Sequence, residues 1–341
     1  MRRLLLIVAL VALSLSFAQP PAYAQSEKMR VGYLPVITYA TFFVGMERGY
    51  FAEEGIEIEL VPLPAGGGDS VVQLAAGNLD VAAAGAGAAL WNAIALGLPV
   101  KFVAPLHTER PPLATPLVIS AKRADEIKSV ADLRGKKIAI NNVGSAVEYW
   151  VYAALQRGGV SMDEVTTVPM PFPQMAAALD SGAIDAAVLT EPLATLGRDQ
   201  GLLAFLADDF IDGITVTYVF MGESMLKERR PVAEAFIRAY LRAARDLQGE
   251  IDESLAAIIE KYTNVPASVV RRMNRQYYDP NGVIPVADLE EVQRYFKSRG
   301  LLEYNELLNV PELVDTSLVE AALKVIGEYK PAPTATPTSR Y

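Results

Sequence analysis

Through the first 220 residues, short apolar runs alternate with longer stretches in which apolar residues recur every three or four positions. The short runs read as buried strands and the longer stretches as amphipathic helices. Strands are predicted at 30–34 and 56–61, flanking a helix over 42–51, and at 80–84 and 100–104, separated by a helix through 90–96. A second series begins near Lys137, with a strand at 138–140, a helix over 145–157 ended by Gly158-Gly159, a strand at 165–168, a helix over 174–180 and a strand at 184–189. Apolar strands alternating with helices imply an α/β fold with parallel sheets covered on both faces. Beyond Val219 the pattern is helical only, over 231–248, 251–262, 267–277, 286–299 and 312–326. Pro231 and Pro266 stand where prolines begin helices, and Gly282 and Gly300 punctuate the ends.

The two series share a signature. GNLDVAAAG at 77–85 matches GAIDAAVL at 182–189, with Gly77 and Gly182, and likewise Asp80 and Asp185, 105 residues apart. Val61-Pro62-Leu63-Pro64 answers Val168-Pro169-Met170-Pro171, and Gly55-Ile56 answers Gly159-Val160. Each leading glycine suits a left-handed helix end. The strand that follows is thin enough for a backbone or a ligand to approach closely. Asp80 and Asp185 read as turn caps accepting backbone N–H groups rather than as ligand contacts. One α/β unit used twice predicts two lobes with a cleft between them: 29–113 plus 216–330, and 114–215. The crossings are placed at Pro111-Pro112 and 213–217, with the helical C-terminal section packed on the first lobe.

Composition narrows the chemistry. Met1-Arg2-Arg3, an apolar run over 4–15 and Ala22-Tyr23-Ala24 read as an export signal cleaved after residue 24. An uncleaved membrane anchor is the alternative, although the run is short of the roughly 20 residues that span a bilayer. Removing that segment takes away two arginines and no acid, so the net charge moves from −9 to −11, and nucleic acid is not an expected partner. The absence of cysteine excludes disulfides, thiolate metal sites and thiol nucleophiles. His107 is the sole histidine, so no metal site or cofactor is expected, and it reads as a structural residue beside the first crossing. Residues 331–341, rich in proline and threonine, read as a disordered tail.

Ligands of open α/β sheets bind beyond the carboxyl ends of the strands. That rule selects the loops at 33–43, 64–70, 85–92, 141–149, 170–174 and 190–192, none of which carries Lys, Arg or His. They carry Tyr33, Tyr39, Phe42, Trp91, Tyr149 and Phe172 as aromatic candidates. Thr38, Thr41, Asp69, Ser70, Asn92, Asn142, Ser145 and Glu191 are the polar candidates. Tyr39, Phe42 and Trp91 have core packing as their alternative, Asp69 has helix capping, and Glu191 a salt-linked structural role. Tyr149 and Trp150 are adjacent on one helix and cannot share a face; Tyr149 is chosen because its hydroxyl can bond a ligand. Gly66-Gly67-Gly68 permits close backbone approach but lacks the Lys-Ser/Thr of a nucleotide loop. An aromatic slot with a few polar groups suits a flat, neutral heterocycle such as a flavin or a thiamine-type pyrimidine.

The chain resembles the periplasmic substrate-binding proteins of ABC importers for nitrate, sulfonates, taurine and thiamine precursors. The resemblance is carried by VGYLPVITYATFFVGMERGYFAEEGIEIELVP (31–62), QLAAGNLDVAAAGAGAALWNAIALGLPVKFVA (73–104), SVADLRGKKIAINNVGSAVEYW (129–150), GAIDAAVLTEP (182–192) and SRGLLEYNELLNVPELVDTSLVEAAL (298–323). It implies a two-lobed, periplasmic-binding-protein fold of type II-like form, acting as a monomer outside the cytoplasmic membrane. Such a protein closes on a small molecule and delivers it to an ABC permease and its ATPase. It also implies a non-enzymatic receptor, of a riboflavin- or pyrimidine-binding kind where the loops are aromatic. A sulfonate-, taurine- or nitrate-type anion is the alternative ligand. An enzyme on the same fold, such as a pyrimidine synthase, is the alternative class, as is the sensing domain of a signalling complex.

Overall fold

The computed structural model describes residues 26–63 and 67–331; the segment read as an export signal and nearly all of the predicted tail lie outside them. Strands β1 (Glu27–Tyr33), β2 (Ile56–Pro62), β3 (Val81–Gly85) and β4 (Val100–Glu109) begin a first sheet. The chain then passes to a second sheet, made of β5 (Leu117–Ser120), β6 (Lys137–Ile140), β7 (Thr166–Pro169), β8 (Ala186–Val188) and β9 (Leu203–Ala207). It returns as β10 (Ile214–Gly222), giving the orders β2-β1-β3-β10-β4 and β7-β6-β8-β5-β9. The segments at 110–116 and 208–213 that join the sheets run side by side. Leu113 N–H donates to the Asp208 carbonyl at 2.7 Å and Gly213 N–H to the Glu109 carbonyl at 2.8 Å.

Both sheets are mixed, which corrects the expectation of parallel sheets. Pairing is parallel within β1–β2–β3 and within β6–β7–β8, but β10 is antiparallel to β3 and β4, and β5 to β8 and β9. The periodic α/β signal marks the parallel strands and β4 but misses the antiparallel β5, β9 and β10. β10 was concealed because its first residues read as a crossing, and the pattern after Val219 reads as helix. Two predicted helices are also shorter than expected. The one at 267–277 stops at Val270, and Tyr277 instead bridges Thr108. The one at 312–326 divides into Val310–Leu313 and Ser317–Ile326, with Val314 bridging Phe102. In both places the chain pairs with β4, the edge strand of the first sheet, whose free hydrogen-bonding groups compete with the helix.

The repeated aspartate has the same role in each sheet. Asp80 Oδ2 accepts the backbone N–H of Arg30 on β1 at 2.8 Å, and Asp185 Oδ2 accepts that of Lys137 on β6 at 2.7 Å. The aspartate backbones reciprocate, with Asp80 N–H donating to the Arg30 carbonyl and Asp185 N–H to that of Lys137. Arginines complete the brackets, Arg30 and Arg229 at Asp80 and Arg123 at Asp185. Burial works against the charge of Asp80, yet the Arg30 side chain and N–H together with Arg229 outweigh it and hold the carboxyl below the usual aspartate range.

The helices that matter below are α1 (Ala40–Glu47), α2 (Gly67–Ala75), α3 (Ala88–Ala95), α4 (Ala146–Arg157), α5 (Phe172–Ser181), α6 (Arg230–Asp246) and α7 (Val286–Ser298). The long α6 packs on α1 and on Ser317–Ile326, which seats the C-terminal section against the first lobe. Phe42 of α1 lies beside Phe236 and Tyr240, and the Tyr240 hydroxyl donates to the Pro105 carbonyl on β4 at 2.7 Å.

Asp80→Ala and Asp185→Ala are each expected to lower unfolding free energy by about 2–4 kcal/mol, because a strand N–H and an arginine lose a charged acceptor together. Urea unfolding checks this against Asp163→Ala, whose side chain is 86% exposed. That control is expected to stay within about 0.5 kcal/mol.

Candidate functional site

A cavity opens between the lobes. The first lobe supplies the turn after β1 (Leu34, Val36, Thr38, Tyr39), the start of α2 (Gly67, Gly68), the end of β3 with Ala89, and Thr217 of β10. The second supplies the loop after β6 and the first turn of α4 (141–147), then Trp150, Phe172 and Thr190. Counting the solvent at its open mouth, the space amounts to about 650 Å³.

Small residues bring the lobes together beside this space. Ala88 N–H of α3 donates to the Gly144 carbonyl at 2.8 Å, one backbone bonding the other directly. A β-carbon on Gly87 would lie 2.5 Å from that carbonyl oxygen, and one on Gly85 would lie 2.6 Å from the Ala146 β-carbon. Gly144 itself has φ +70°, a conformation that glycine tolerates best.

The lining is aromatic and hydroxyl-rich, and among the described residues it carries no Lys, Arg, His, Asp or Glu. Trp150 Nε1–H and the Thr190 hydroxyl, on two of the lining residues, are buried without a protein partner. Tyr39 is buried with its hydroxyl donated to the Ala83 carbonyl, so it presents a ring and no free donor. Ser145 donates to Asn141 Oδ1 at 2.8 Å, and Thr38 Oγ1 accepts from Gln276 Nε2 at 3.2 Å. Thr217 Oγ1 lies 2.7 Å from His107 Nδ1, and His107 Nε2 lies 3.1 Å from Glu109 Oε1; both His107 and Glu109 are 1% exposed.

Of the residues selected from sequence, Thr38, Tyr39, Asn142, Ser145 and Phe172 line this cavity. The others take positions behind it or away from it. Phe42 and Thr41 are enclosed in the core under α6. Tyr33 packs edge-on against Tyr39 and Phe43. Trp91 is fully buried, packs at a tilt against Phe102 and donates to the Ala86 carbonyl at 2.8 Å. Asn92 holds α3 to the segment at 301–303 through the Leu301 carbonyl and Glu303 N–H. Asp69 lies in the first turn of α2, and Ser70 is buried on the same helix.

Tyr149 points away from the cavity. Its hydroxyl donates to Glu291 of α7, its ring clusters with those of Tyr152 and Tyr295, and burial followed by the Glu291 hydrogen bond and charge pushes its phenol up. Its neighbour Trp150 takes the cavity face instead. The one-face argument for this helix was sound, but hydroxyl chemistry was a poor guide to which residue faces the cleft. Trp150, Thr190 and Thr217 are among the lining residues outside the selection. Thr190 stands in a selected loop, whereas nothing in the local pattern distinguishes Thr217 within its strand.

Two buried carboxylates fix the loops around the cavity. Glu148 Oε2 accepts Gly144 N–H at 2.6 Å, and Glu148 is approached by the Tyr295 hydroxyl and Arg299, so α7 reaches across to the second lobe. Glu191 Oε2 accepts Thr195 N–H at 2.9 Å, and Oε1 accepts the Thr195 hydroxyl and Asn274 N–H. The Glu191 carbonyl also accepts Ile37 N–H of the first lobe at 3.0 Å. Burial raises the Glu191 carboxyl to about 7, against the opposing pull of its Thr195 and Asn274 hydrogen bonds.

Two mixed α/β lobes closing on a cleft, with a helical section packed back on the first, form the periplasmic-binding-protein fold. The chain belongs to the family described as NMT1/THI5 like, which matches residues 37–253. Among its relatives, the riboflavin-binding protein RibY of Chloroflexus aurantiacus is 30% identical over 243 residues, spanning 70% of this chain and 66% of RibY, just under two thirds of that relative. The periplasmic nitrate-binding protein NrtA from Synechocystis PCC 6803 superposes with a TM-score of 0.75 at 16% identity, over 89% of this chain and 90% of that one. The desulfurization enzyme DSZB shares the fold at 16% identity, with a TM-score of 0.62 over 87% and 99% of the two chains. Among the described residues no helix is long and apolar enough to cross a membrane, and no cluster of His, Cys, Asp and Glu could hold a metal ion.

The raised Glu191 carboxyl gives a signed stability prediction. The folded protein holds that proton more tightly than the unfolded chain, whose ordinary value is 4.5. Its contribution is therefore complete below about 4.5 and is lost as pH rises through about 7, on the order of 3 kcal/mol in all. Unfolding free energies at pH 4.5 and 7.5 should show this decline, and Glu191→Gln should flatten it.

Proposed function

We propose that this protein is an extracytoplasmic receptor that clamps a small, neutral, aromatic heterocycle by closure of its two lobes and hands it to an ABC permease driven by its ATPase. The observation that carries this reading is the lining itself. Trp150, Tyr39 and Phe172 supply apolar rings, the polar groups are hydroxyls, amides and one indole N–H, and no cation is present among the described lining residues. Burying an unpaired anion in such a place costs several kcal/mol, whereas a flat neutral ring with carbonyl acceptors satisfies Trp150 and Thr190. Kinship with a riboflavin-binding relative supports the same ligand class. The reading includes release of the N-terminal segment on export and function as a monomer without enzymatic activity.

One feature favours an oxyanion as a second reading. Ala146 and Val147, the first residues of α4, line the cavity, and the opening N–H groups of a helix favour negative charge.

Titration of the purified protein with riboflavin, thiamine, taurine and nitrate, followed by intrinsic fluorescence of its two tryptophans, separates the readings. Saturation by riboflavin or thiamine alone is expected; saturation by nitrate or taurine alone would replace the ring reading with the oxyanion one. Trp150→Ala is expected to weaken riboflavin binding by about 1–3 kcal/mol, the range for stacking of a base on an aromatic side chain. Trp91→Phe, a change within the core, should leave affinity unchanged in the folded protein. Gly87→Val tests closure: its side chain meets the Gly144 carbonyl, so riboflavin binding should be lost while circular dichroism stays native.

A further inference from the structure

Behind the cavity wall lies a line of three groups that share hydrogens in a defined order. Thr217 of β10 stands between Gly85 of β3 and His107 of β4 in the sheet register and is one of the residues lining the cavity. Its Oγ1 is 2.7 Å from His107 Nδ1, and His107 Nε2 is 3.1 Å from Glu109 Oε1. The imidazole packs against the Trp150 ring at 5.8 Å between centroids, so the middle of the line, like its Thr217 end, meets the cavity wall.

The hydrogen directions follow from the far end. As a carboxylate, Glu109 has lone pairs and no hydrogen to give, and its Oε1 also faces Gln276 Nε2 at 3.4 Å. His107 Nε2 must then be the donor to it. In the neutral ring the proton is on Nε2, which leaves Nδ1 as a bare acceptor. The nearest hydrogen for Nδ1 is that of the Thr217 hydroxyl, whose other possible acceptor, the His107 carbonyl, lies at 3.5 Å. With its hydrogen committed inward, Thr217 Oγ1 has only lone pairs left for the cavity.

We propose that the Thr217–His107–Glu109 line is a specificity device: it fixes the Thr217 hydroxyl as a hydrogen-bond acceptor toward the ligand and so selects molecules that present an N–H donor there, such as the imide edge of a ring. Nitrate and fully ionised sulfonates carry only acceptors and meet lone pairs with lone pairs at this point. The inference rests on the ring-receptor reading for its ligand class, but the hydrogen order in the protein stands independently of it. The order hydroxyl, imidazole, carboxylate also activates nucleophiles; the acceptor role needs only the hydrogen directions and no bond making. His107 and Glu109 act through Thr217 and are positioning residues.

Two measurements test it. The chain has one histidine, so long-range ¹H–¹⁵N correlation of the ¹⁵N-labelled protein at neutral pH reads His107 without ambiguity. The expected pattern is a neutral ring protonated on Nε2, with the Nδ1 resonance moving toward that of a free imidazole nitrogen in Thr217→Val. A proton on Nδ1, or on both nitrogens, would overturn the proposal whether or not riboflavin binds. The second measurement compares riboflavin with 3-methylriboflavin, which lacks the imide N–H, on wild type and on Thr217→Val. Methylation is expected to weaken binding about tenfold or more in wild type and much less in the variant, as loss of a buried partner predicts. An equal penalty in both proteins would overturn the assignment of Thr217 as the acceptor of that group. If riboflavin fails to bind while Nε2 carries the proton, the ring-receptor reading falls and the acceptor polarity of the line stands.

Discussion

The two lobes meet backbone to backbone where Ala88 N–H reaches the Gly144 carbonyl, and a single β-carbon on Gly87 would hold them apart. Much else follows from that contact. The strand leading to it, Val81–Gly85, is built from alanine and glycine apart from its first residue, so the wall of the cavity is thin and the second lobe can approach it. Gly144 is held from the other side by Glu148, which is in turn approached by Tyr295 and Arg299 of the helical section. The closed geometry is thus set by a short chain of hydrogen bonds running from α7 through α4 to α3, with little apolar side-chain bulk at the point of closure. Such a contact is lost when the lobes separate and regained when they meet, which suits a clamp whose closed population is set by what it holds.

The buried acids make a second pattern. Glu109, Glu148 and Glu191 are at most 3% exposed and lie close around the cleft, yet none lines the cavity. Each takes up N–H or imidazole donors of neighbouring segments and holds a loop or a strand end in place. A buried carboxylate supplied with donors is strongly directional, which makes it suitable for fixing irregular backbone between rigid sheets.

The parts of this architecture legible in the sequence were those with a period. The doubled Gly-x-x-Asp signature gave both parallel cores, because Asp80 and Asp185 perform the same bracket on Arg30 and Lys137. The strand-end rule also placed most of the cavity wall, since Thr38, Tyr39, Asn142, Ser145 and Phe172 all follow parallel strands. It could not reach Thr217, which belongs to an antiparallel strand that arrives from the other lobe and has no loop signature of its own. Trp91 and Tyr149 show a different difficulty. A large aromatic residue near a strand end is equally suited to the core, and its direction depends on packing partners on other elements, such as Phe102 on β4 and Tyr295 on α7.

The route of β10 has a bearing on how the protein is made. This strand lies between β3 and β4, so the first sheet lacks an inner member until the ribosome has finished the whole second sheet. During that interval β3 and β4 present unpaired edges, the kind of surface that joins other chains. The second sheet has no such dependence, since its strands all fall between the two joining segments. Assembly in the reverse of chain order follows: the inserted half can be complete first, and the half that begins the chain is closed last, when β10 slots between strands made long before it.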